Sequence, residues 1–204
     1  MKKSYRIIII VFIAALAIAA AILRPWSYLA YLPIVGKNAA LTVNTTAGKS
    51  EVFLDGKKIG ETPLSSENLA PGDYKLKVSR ISGSEDFYTD ITKLIHLEQN
   101  TRTFVEAEIG PSKQFSSLKT LYYKKIKTNE SELYIKSSPP GATVWIDNIR
   151  YGDTPVTTQK LDDGRHEMKI SLDGYEDEDA ALILREGYTL IAEIELMARP
   201  VQLD

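Results

Sequence analysis

The chain contains no cysteine and only two histidines among its 204 residues. Without cysteine it has no disulfide bonds, thiolate metal sites, cysteine nucleophiles or lipid-modified cysteine. The chain also lacks an excess of basic over acidic residues. Four of the 25 basic residues lie in or beside an apolar N-terminal segment without acids, which leaves 21 basic against 27 acidic side chains elsewhere. Because binding to phosphate backbones relies on a basic surface, a nucleic-acid partner is disfavoured.

Recognisable catalytic motifs are absent as well. The sequence has no phosphate-cradling glycine loop, no paired catalytic carboxylates and no nucleophile elbow. His96 stands between apolar residues in a predicted strand, and His166 takes the strand position of Tyr74, so both are interpreted as structural side chains rather than general bases. We therefore expect no enzyme activity and no cofactor.

An acidic run, DGYEDED at residues 173–179, is the one candidate for a metal ion. Its carboxylates are suitable calcium ligands. The glycine and the terminal glutamate do not have the spacing of the known calcium loop, however. We interpret the run as a solvated turn and expect no metal site.

Residues 7–23 form an uninterrupted apolar run that follows three basic residues. As a helix, it would reach roughly 25 Å, slightly short of a hydrocarbon core of about 30 Å, and a Trp/Tyr cluster at residues 26–31 would extend it into the interface. The length of the run and the Trp/Tyr cluster predict a retained single-pass anchor, and the flanking charge predicts that the N-terminus lies in the cytoplasm and the bulk of the chain outside the cytoplasmic membrane. A cleaved signal peptide is the alternative, because three alanines at 19–21 offer a processing site.

A pattern of turn-forming and apolar residues occurs twice, at a fixed offset of 92 positions. Because the shared positions include turn-formers, we expect the two copies to share a backbone and not merely a composition. Further on, the segment at 104–109 matches that at 191–196 with an offset of 87, so the first copy carries about five extra residues near 81–87. The repeated positions are Asp55, Gly60, Thr62, Pro63, Leu69 and Gly72, followed by Asp147, Gly152, Thr154, Pro155, Leu161 and Gly164.

Both copies have the alternating apolar pattern of strands. Asp55-Gly56 and Asp147-Asn148 favour the positive backbone angles of tight hairpins, and proline in each Gly-x-Thr-Pro run interrupts strand pairing. Six or so short strands per copy, with turns every eight to twelve residues, predict an all-β protein of two tandem small antiparallel β-sandwiches behind the N-terminal transmembrane helix.

The second copy resembles the PEGA domain, named for a Pro-Glu-Gly-Ala motif. It reads SSPPGATVWID at residues 137–147 and continues with GDTP at 152–155. The first copy departs from this motif, with AGKS at 47–50, but keeps the later turns. The resemblance implies sandwiches of the transthyretin-like or immunoglobulin-like kind, common on bacterial and archaeal surface proteins, and it implies no catalytic residues.

We predict six segments from these patterns. They are a cytoplasmic tip, transmembrane helix and interface segment at 1–32, a tether at 33–40, sandwich 1 at 41–110, a linker at 111–131, sandwich 2 at 132–198 and a tail at 199–204. The linker contains five lysines, which as a basic patch would touch anionic lipid or wall polymer. Residues 121–123 and the surrounding apolar positions leave two further interpretations of this segment open, an extra strand or a short amphipathic helix.

These predictions favour a membrane-anchored protein of the cell envelope whose sandwiches act as a structural spacer or as an interaction or adhesion module. Its expected partners are the membrane and an envelope protein or polysaccharide. The alternative function is a carbohydrate-binding module for a cell-wall polysaccharide, with Trp145, Tyr151 and Tyr175 as candidate ligand-contacting aromatics. The sequence identifies neither partner.

Overall fold

The computed structural model describes residues 38–81, 87–159 and 161–200, which form fifteen β-strands and one 3₁₀ turn. The first repeat contains β1 (Ala39–Thr45), β2 (Ser50–Leu54), β3 (Lys57–Glu61), β4 (Leu64–Leu69), β5 (Gly72–Arg80), β6 (Ile91–Leu97) and β7 (Arg102–Glu108). The turn (Lys113–Phe115) and β8 (Ser117–Lys125) follow. The second repeat contains β9 (Glu132–Ser138), β10 (Thr143–Ile146), β11 (Ile149–Asp153), β12 (Val156–Thr158), β13 (Gly164–Ser171), β14 (Glu178–Leu184) and β15 (Tyr188–Glu195).

The seven strands of one repeat correspond in order to the seven strands of the other. The starts of β3, β4 and β5 precede those of β11, β12 and β13 by 92 residues, whereas the starts of β6 and β14 are 87 residues apart. The extra residues of the first repeat therefore fall between β5 and β6, in the loop where the sequence predicts them. Residues 82–86 of that loop lie outside the described residues.

The strands form three sheets. Each repeat has a four-stranded sheet, in the order β3-β2-β5-β6 or β11-β10-β13-β14. The remaining strands of both repeats join in one seven-stranded sheet, in the order β12-β9-β15-β8-β7-β1-β4. Residues 38–200 accordingly belong to one compact unit.

Strand β8 lies at the centre of the seven-stranded sheet and connects the two repeats. It pairs antiparallel with β7 on one side and with β15 on the other. Leu118 belongs to the core of the first repeat, whereas Leu121 and Tyr123 belong to the core of the second. Because successive side chains of a strand point to opposite faces, the two four-stranded sheets cover opposite faces of the seven-stranded sheet.

The structure confirms the predicted all-β class and changes two details of the predicted architecture. The sheets are not purely antiparallel, because β1 runs parallel to β7 and β9 runs parallel to β15. Of the three interpretations of the segment at 111–131, the structure has the extra strand, and it places this strand in the middle of a sheet instead of in a linker.

The predicted transmembrane helix at residues 7–23 lies outside the described residues. Among residues 38–81, 87–159 and 161–200, no helix has the length and apolar character needed to cross a membrane.

Candidate functional site

The repeated hairpin aspartate fixes the tip of each outer hairpin. Asp55 accepts a hydrogen bond from the backbone N–H of Lys75 at 2.8 Å, and Asp147 accepts the corresponding bond from Glu167 at 2.9 Å. Both aspartates have positive φ, 48° and 51°, as the turn sequences predict. The repeated Asp thus joins its hairpin to the next strand of the same sheet and has a structural role in both copies.

The repeated threonine has a second structural role. The Thr62 hydroxyl accepts the backbone N–H of Ser50 at 2.9 Å. The Thr154 hydroxyl accepts two, from Gly141 at 3.1 Å and Ala142 at 3.0 Å. Each threonine is buried. The Gly-x-Thr-Pro run therefore supplies an acceptor for one buried backbone N–H in each repeat, that of Ser50 or that of Ala142, whereas the exposed Gly141 also donates to the Thr154 backbone oxygen at 3.0 Å.

His166 is bound on both ring nitrogens. Its Nδ1 lies 2.6 Å from an Asp147 carboxylate oxygen, and its Nε2 lies 2.8 Å from the backbone oxygen of Asp162. Partial burial lowers the pKa of His166, but the hydrogen bonds to Asp147 and Asp162 outweigh burial, so the pKa is raised. Tyr74 takes the same position in the first repeat and donates to the Ala70 oxygen at 2.9 Å. His166 therefore fixes the start of β13 to two neighbouring loops, and Tyr74 has the corresponding structural role in the first repeat.

His96 is bound in a similar way at the end of β6. Its Nδ1 lies 2.7 Å from the carboxylate of Asp73, and its ring contacts that of Tyr122 with centroids 6.0 Å apart. The imidazole thus joins the first repeat's outer sheet to the central strand.

The structure does not bring the three candidate aromatics together. Tyr151 and Tyr175 pack against the second core. Trp145 lies on the opposite face of its sheet, because its neighbours Val144 and Ile146 point into that core. A platform built from all three rings is therefore not present, and Trp145 alone faces outward.

The acidic run at 173–179 is largely neutralised by basic side chains. Asp177 binds Lys169 at 2.9 Å and Arg199 at 3.4 Å, and Glu178 binds Lys119 at 3.2 Å. In the part of the chain that the structure describes, no group of three His, Asp or Glu side chains is arranged to hold a metal ion.

The lysines of the 111–131 segment do not form one patch. Lys113 lies in the 3₁₀ turn before β8, and Lys124 and Lys125 lie at the far end of that strand. Lys119, between them, is buried and forms ion pairs with Glu106 at 2.8 Å and Glu178 at 3.2 Å. This cluster joins a strand of the first repeat to a strand of the second.

A second ion cluster connects the repeats from the other side of the sheet. Lys93, on β6 of the first repeat, binds Glu193 at 3.1 Å and Glu195 at 2.7 Å, both on β15 of the second. Lys136 and the Tyr122 hydroxyl also bind Glu193, each at 2.9 Å. Burial lowers the pKa of Lys93, but the hydrogen bond and charge of Glu195, with the charge of Glu193, outweigh it and raise that pKa.

The glutamates of β7 and β15 alternate with apolar residues, a pattern that is typical of strands with one solvent-exposed face. In the folded chain, each of these faces meets the other repeat. Lys93 neutralises Glu193 and Glu195 of β15, and Lys119 neutralises Glu106 of β7. No local pattern marks these two lysines.

An open groove of about 700 Å³ lies on the outward face of the second repeat's four-stranded sheet. Trp145 lines it, paired in register with Arg150 on one side and Lys169 on the other. The remaining lining residues are polar or acidic apart from Met168, and they are Asn148, Glu167, Ser171, Asp177 and Asp179. This groove is a candidate binding site, and the cross-strand pairs of the sheet hold its tryptophan in place.

The fold and these contacts define an all-β protein of two duplicated sandwich modules that share a central strand. The family model of the PEGA domain matches residues 38–113 and 130–200. The chain belongs to the PEGA domain family. No curated protein and no solved structure matches the chain.

Proposed function

We propose that this protein is a rigid spacer of the cell envelope, held at the cytoplasmic membrane by its apolar N-terminal segment with its two PEGA modules outside. The family match suggests an extracellular or surface module. The apolar run at 7–23 and the preceding basic residues support the anchor and its orientation.

Strand β8 is the single observation that carries the rigid-spacer proposal. Two domains on a flexible linker move independently, whereas here one strand supplies side chains to both cores. The ion clusters around Lys93 and Lys119 add contacts on both sides of the sheet. Residues 114–129, which include β8, fall between the two segments that match the family. The rigid junction is thus an addition to the duplicated module.

The path of the chain also fits a spacer. Strands β1, β7, β9 and β15 all run in the same direction in the seven-stranded sheet. The chain therefore enters at the Ala39 end of this sheet and leaves at the Glu195 end. With strands of seven or eight residues, these ends are separated by roughly 25 Å.

Rigidity is testable with spin labels, since the absence of native cysteine permits site-specific labelling of the full chain. Lys57→Cys and Ile149→Cys place labels at equivalent exposed positions of the two repeats. The control pair, Lys57→Cys with Leu94→Cys, lies within one four-stranded sheet. We expect the inter-repeat distance distribution, measured by double electron–electron resonance, to be as narrow as that of the control. A clearly broader distribution would contradict the spacer.

Location is testable with the same Lys57→Cys variant in intact bacterial cells. A membrane-impermeant maleimide should modify it without lysis, and the labelled chain should sediment with membranes. Modification only after lysis, or recovery of the intact chain in the cytosolic fraction, would refute the proposed topology. The rigidity result would be unaffected, because it concerns the folded unit alone.

A further inference from the structure

The two repeats have different aromatic residues at one outward-facing position, and, among the described residues, only one of the two rings has a basic side chain over its face. Phe53 in the first repeat corresponds to Trp145 in the second, and each is paired in register with a lysine of the next strand, Lys77 or Lys169. The Lys77 ammonium lies 4.5 Å from the centroid of the Phe53 ring. That ring face is therefore occupied by a cation–π contact within the protein.

The corresponding lysine of the second repeat is held elsewhere. Lys169 binds Asp177 at 2.9 Å, which raises the pKa of Lys169 through the hydrogen bond and the charge of that carboxylate. In the described part of the chain, no cationic side chain lies over the Trp145 ring. The indole, the largest aromatic surface among the natural side chains, is thus fixed in the sheet and lines an open groove of about 700 Å³.

The groove surrounds this ring with hydrogen-bonding groups. Three of its lining side chains have no hydrogen-bond partner among the described residues, those of Asn148, Ser171 and Asp179. An amide, a hydroxyl and a carboxylate together offer donors and several acceptors. A flat apolar surface flanked by such groups fits a ligand that has an apolar ring face and hydroxyl groups at its edge.

We propose that the Trp145 groove binds a sugar ring of a neutral oligosaccharide, stacked on the indole and hydrogen-bonded through its hydroxyls to Asn148, Ser171 and Asp179. The face of an aromatic ring carries negative charge density, which attracts the positively polarised C–H groups of a sugar ring. This binding role goes beyond the spacer and does not depend on it.

The charge of the groove restricts the type of sugar. Lys169, the one basic residue in its lining, is engaged by Asp177, and Asp179 is a carboxylate without an ion-pair partner among the described residues. An anionic ligand would find no free cation in the lining and would be repelled by Asp179, so uronic-acid polymers and phosphate-containing polymers are disfavoured. Neutral hexose or N-acetylhexosamine units are the ligands that fit both the ring and the charge.

Tryptophan fluorescence tests the proposal, because the chain has only two tryptophans, Trp26 and Trp145. In the full chain with Trp26→Phe, Trp145 is the sole tryptophan, and excitation at a wavelength that tyrosine does not absorb isolates its emission. We expect cellotetraose or the N-acetylglucosamine tetramer to shift or quench its emission saturably, and polygalacturonate to leave it unchanged. A lack of response to both neutral glycans at millimolar concentration, or tighter binding of polygalacturonate, would overturn the proposal.

Calorimetric titration of variants tests whether the ring itself binds. We expect Trp145→Ala to weaken glycan binding at least ~10-fold, about the effect of removing one stacking aromatic, whereas the matched Phe53→Ala leaves it within ~2-fold. Asn148→Gly with Ser171→Ala removes two groove side chains, keeps the positive φ of 65° that residue 148 has in its hairpin, and should weaken binding even if Trp145→Ala folds poorly. The site is refuted if the Asn148/Ser171 double variant and Trp145→Ala both bind the glycan as tightly as the unaltered chain does.

Discussion

The Lys93 ammonium lies 2.7 Å from a carboxylate oxygen of Glu195, a residue 102 positions further along the chain and in the other repeat. Both side chains are mostly buried, with exposed fractions of 18% and 29%. Together with the pair to Glu193, this contact fixes β6 of the first repeat against β15 of the second. The two repeats therefore depend on each other for the neutralisation of buried charge.

Removing the Lys93 charge tests this dependence. We expect Lys93→Met to lower the free energy of unfolding by about 1–3 kcal/mol, because Glu195 loses its ion-pair partner in a partly buried site, whereas Glu193 keeps Lys136. The matched Lys57→Met, at an exposed position of the same four-stranded sheet, should change it by less than about 0.5 kcal/mol. Denaturant unfolding of the full chain measures both. A similar effect of the two variants would show that the junction pairs add no stability.

The shared strand predicts that the two repeats unfold together. Leu118 and Leu121 lie in different cores, with exposed fractions of 1% and 5%. Replacing either by alanine should cost about 2–4 kcal/mol and shift the whole transition to lower temperature. Scanning calorimetry is the measurement, and Leu94→Ala, which truncates a side chain that is 75% exposed, is the control. Two separate transitions, only one of which moves, would contradict a single cooperative unit.

The repeated threonines should have similar effects on stability. Thr62→Val leaves the buried backbone N–H of Ser50 without its hydroxyl acceptor, and Thr154→Val does the same to the buried N–H of Ala142. We expect each variant to lower the free energy of unfolding by about 1–3 kcal/mol, the cost of one unsatisfied buried donor. Thr157→Val, at an exposed strand position, serves as the control in chemical denaturation. A loss at Thr62 or Thr154 no larger than that of the control would contradict the hydroxyl as a stabilising acceptor.

Stability should fall as pH rises through the titration of His166. Because the folded-state pKa of His166 is raised, its contribution is fully present below the unfolded value of about 6.5 and is lost as pH rises through the folded pKa. Urea unfolding between pH 5 and pH 9 measures this slope. His166→Tyr should remove it while keeping a bond like that of Tyr74 to Ala70. An unchanged slope in this variant would assign the pH dependence to another group.

Much of each module was predictable because the information is local. The Asp-Gly and Asp-Asn hairpins have the predicted positive φ, and the repeat boundaries follow the alternating apolar residues. The offset change between copies fell in the predicted loop. The position of Trp145 in a strand was predictable for the same reason, but its outward direction was not clear from composition, and Tyr151 and Tyr175 proved to be packed on the core.

The connection between modules was not predictable from local pattern. Both faces of β8 are covered, so its buried positions run from Ser117 through Leu121 without the period of two that marks a half-exposed strand. Lys119 within it suggests a solvated segment. Its partners, Glu106 and Glu178, are supplied by different repeats, so only the assembled sheet shows why a lysine is buried there.

The four-stranded sheets lie on opposite faces of the common sheet, so Phe53 and Trp145 face away from each other. A glycan seated against Trp145 would leave the reverse side of the same molecule unobstructed. The two outer sheets are therefore separate surfaces, and a contact on one would not block a contact on the other.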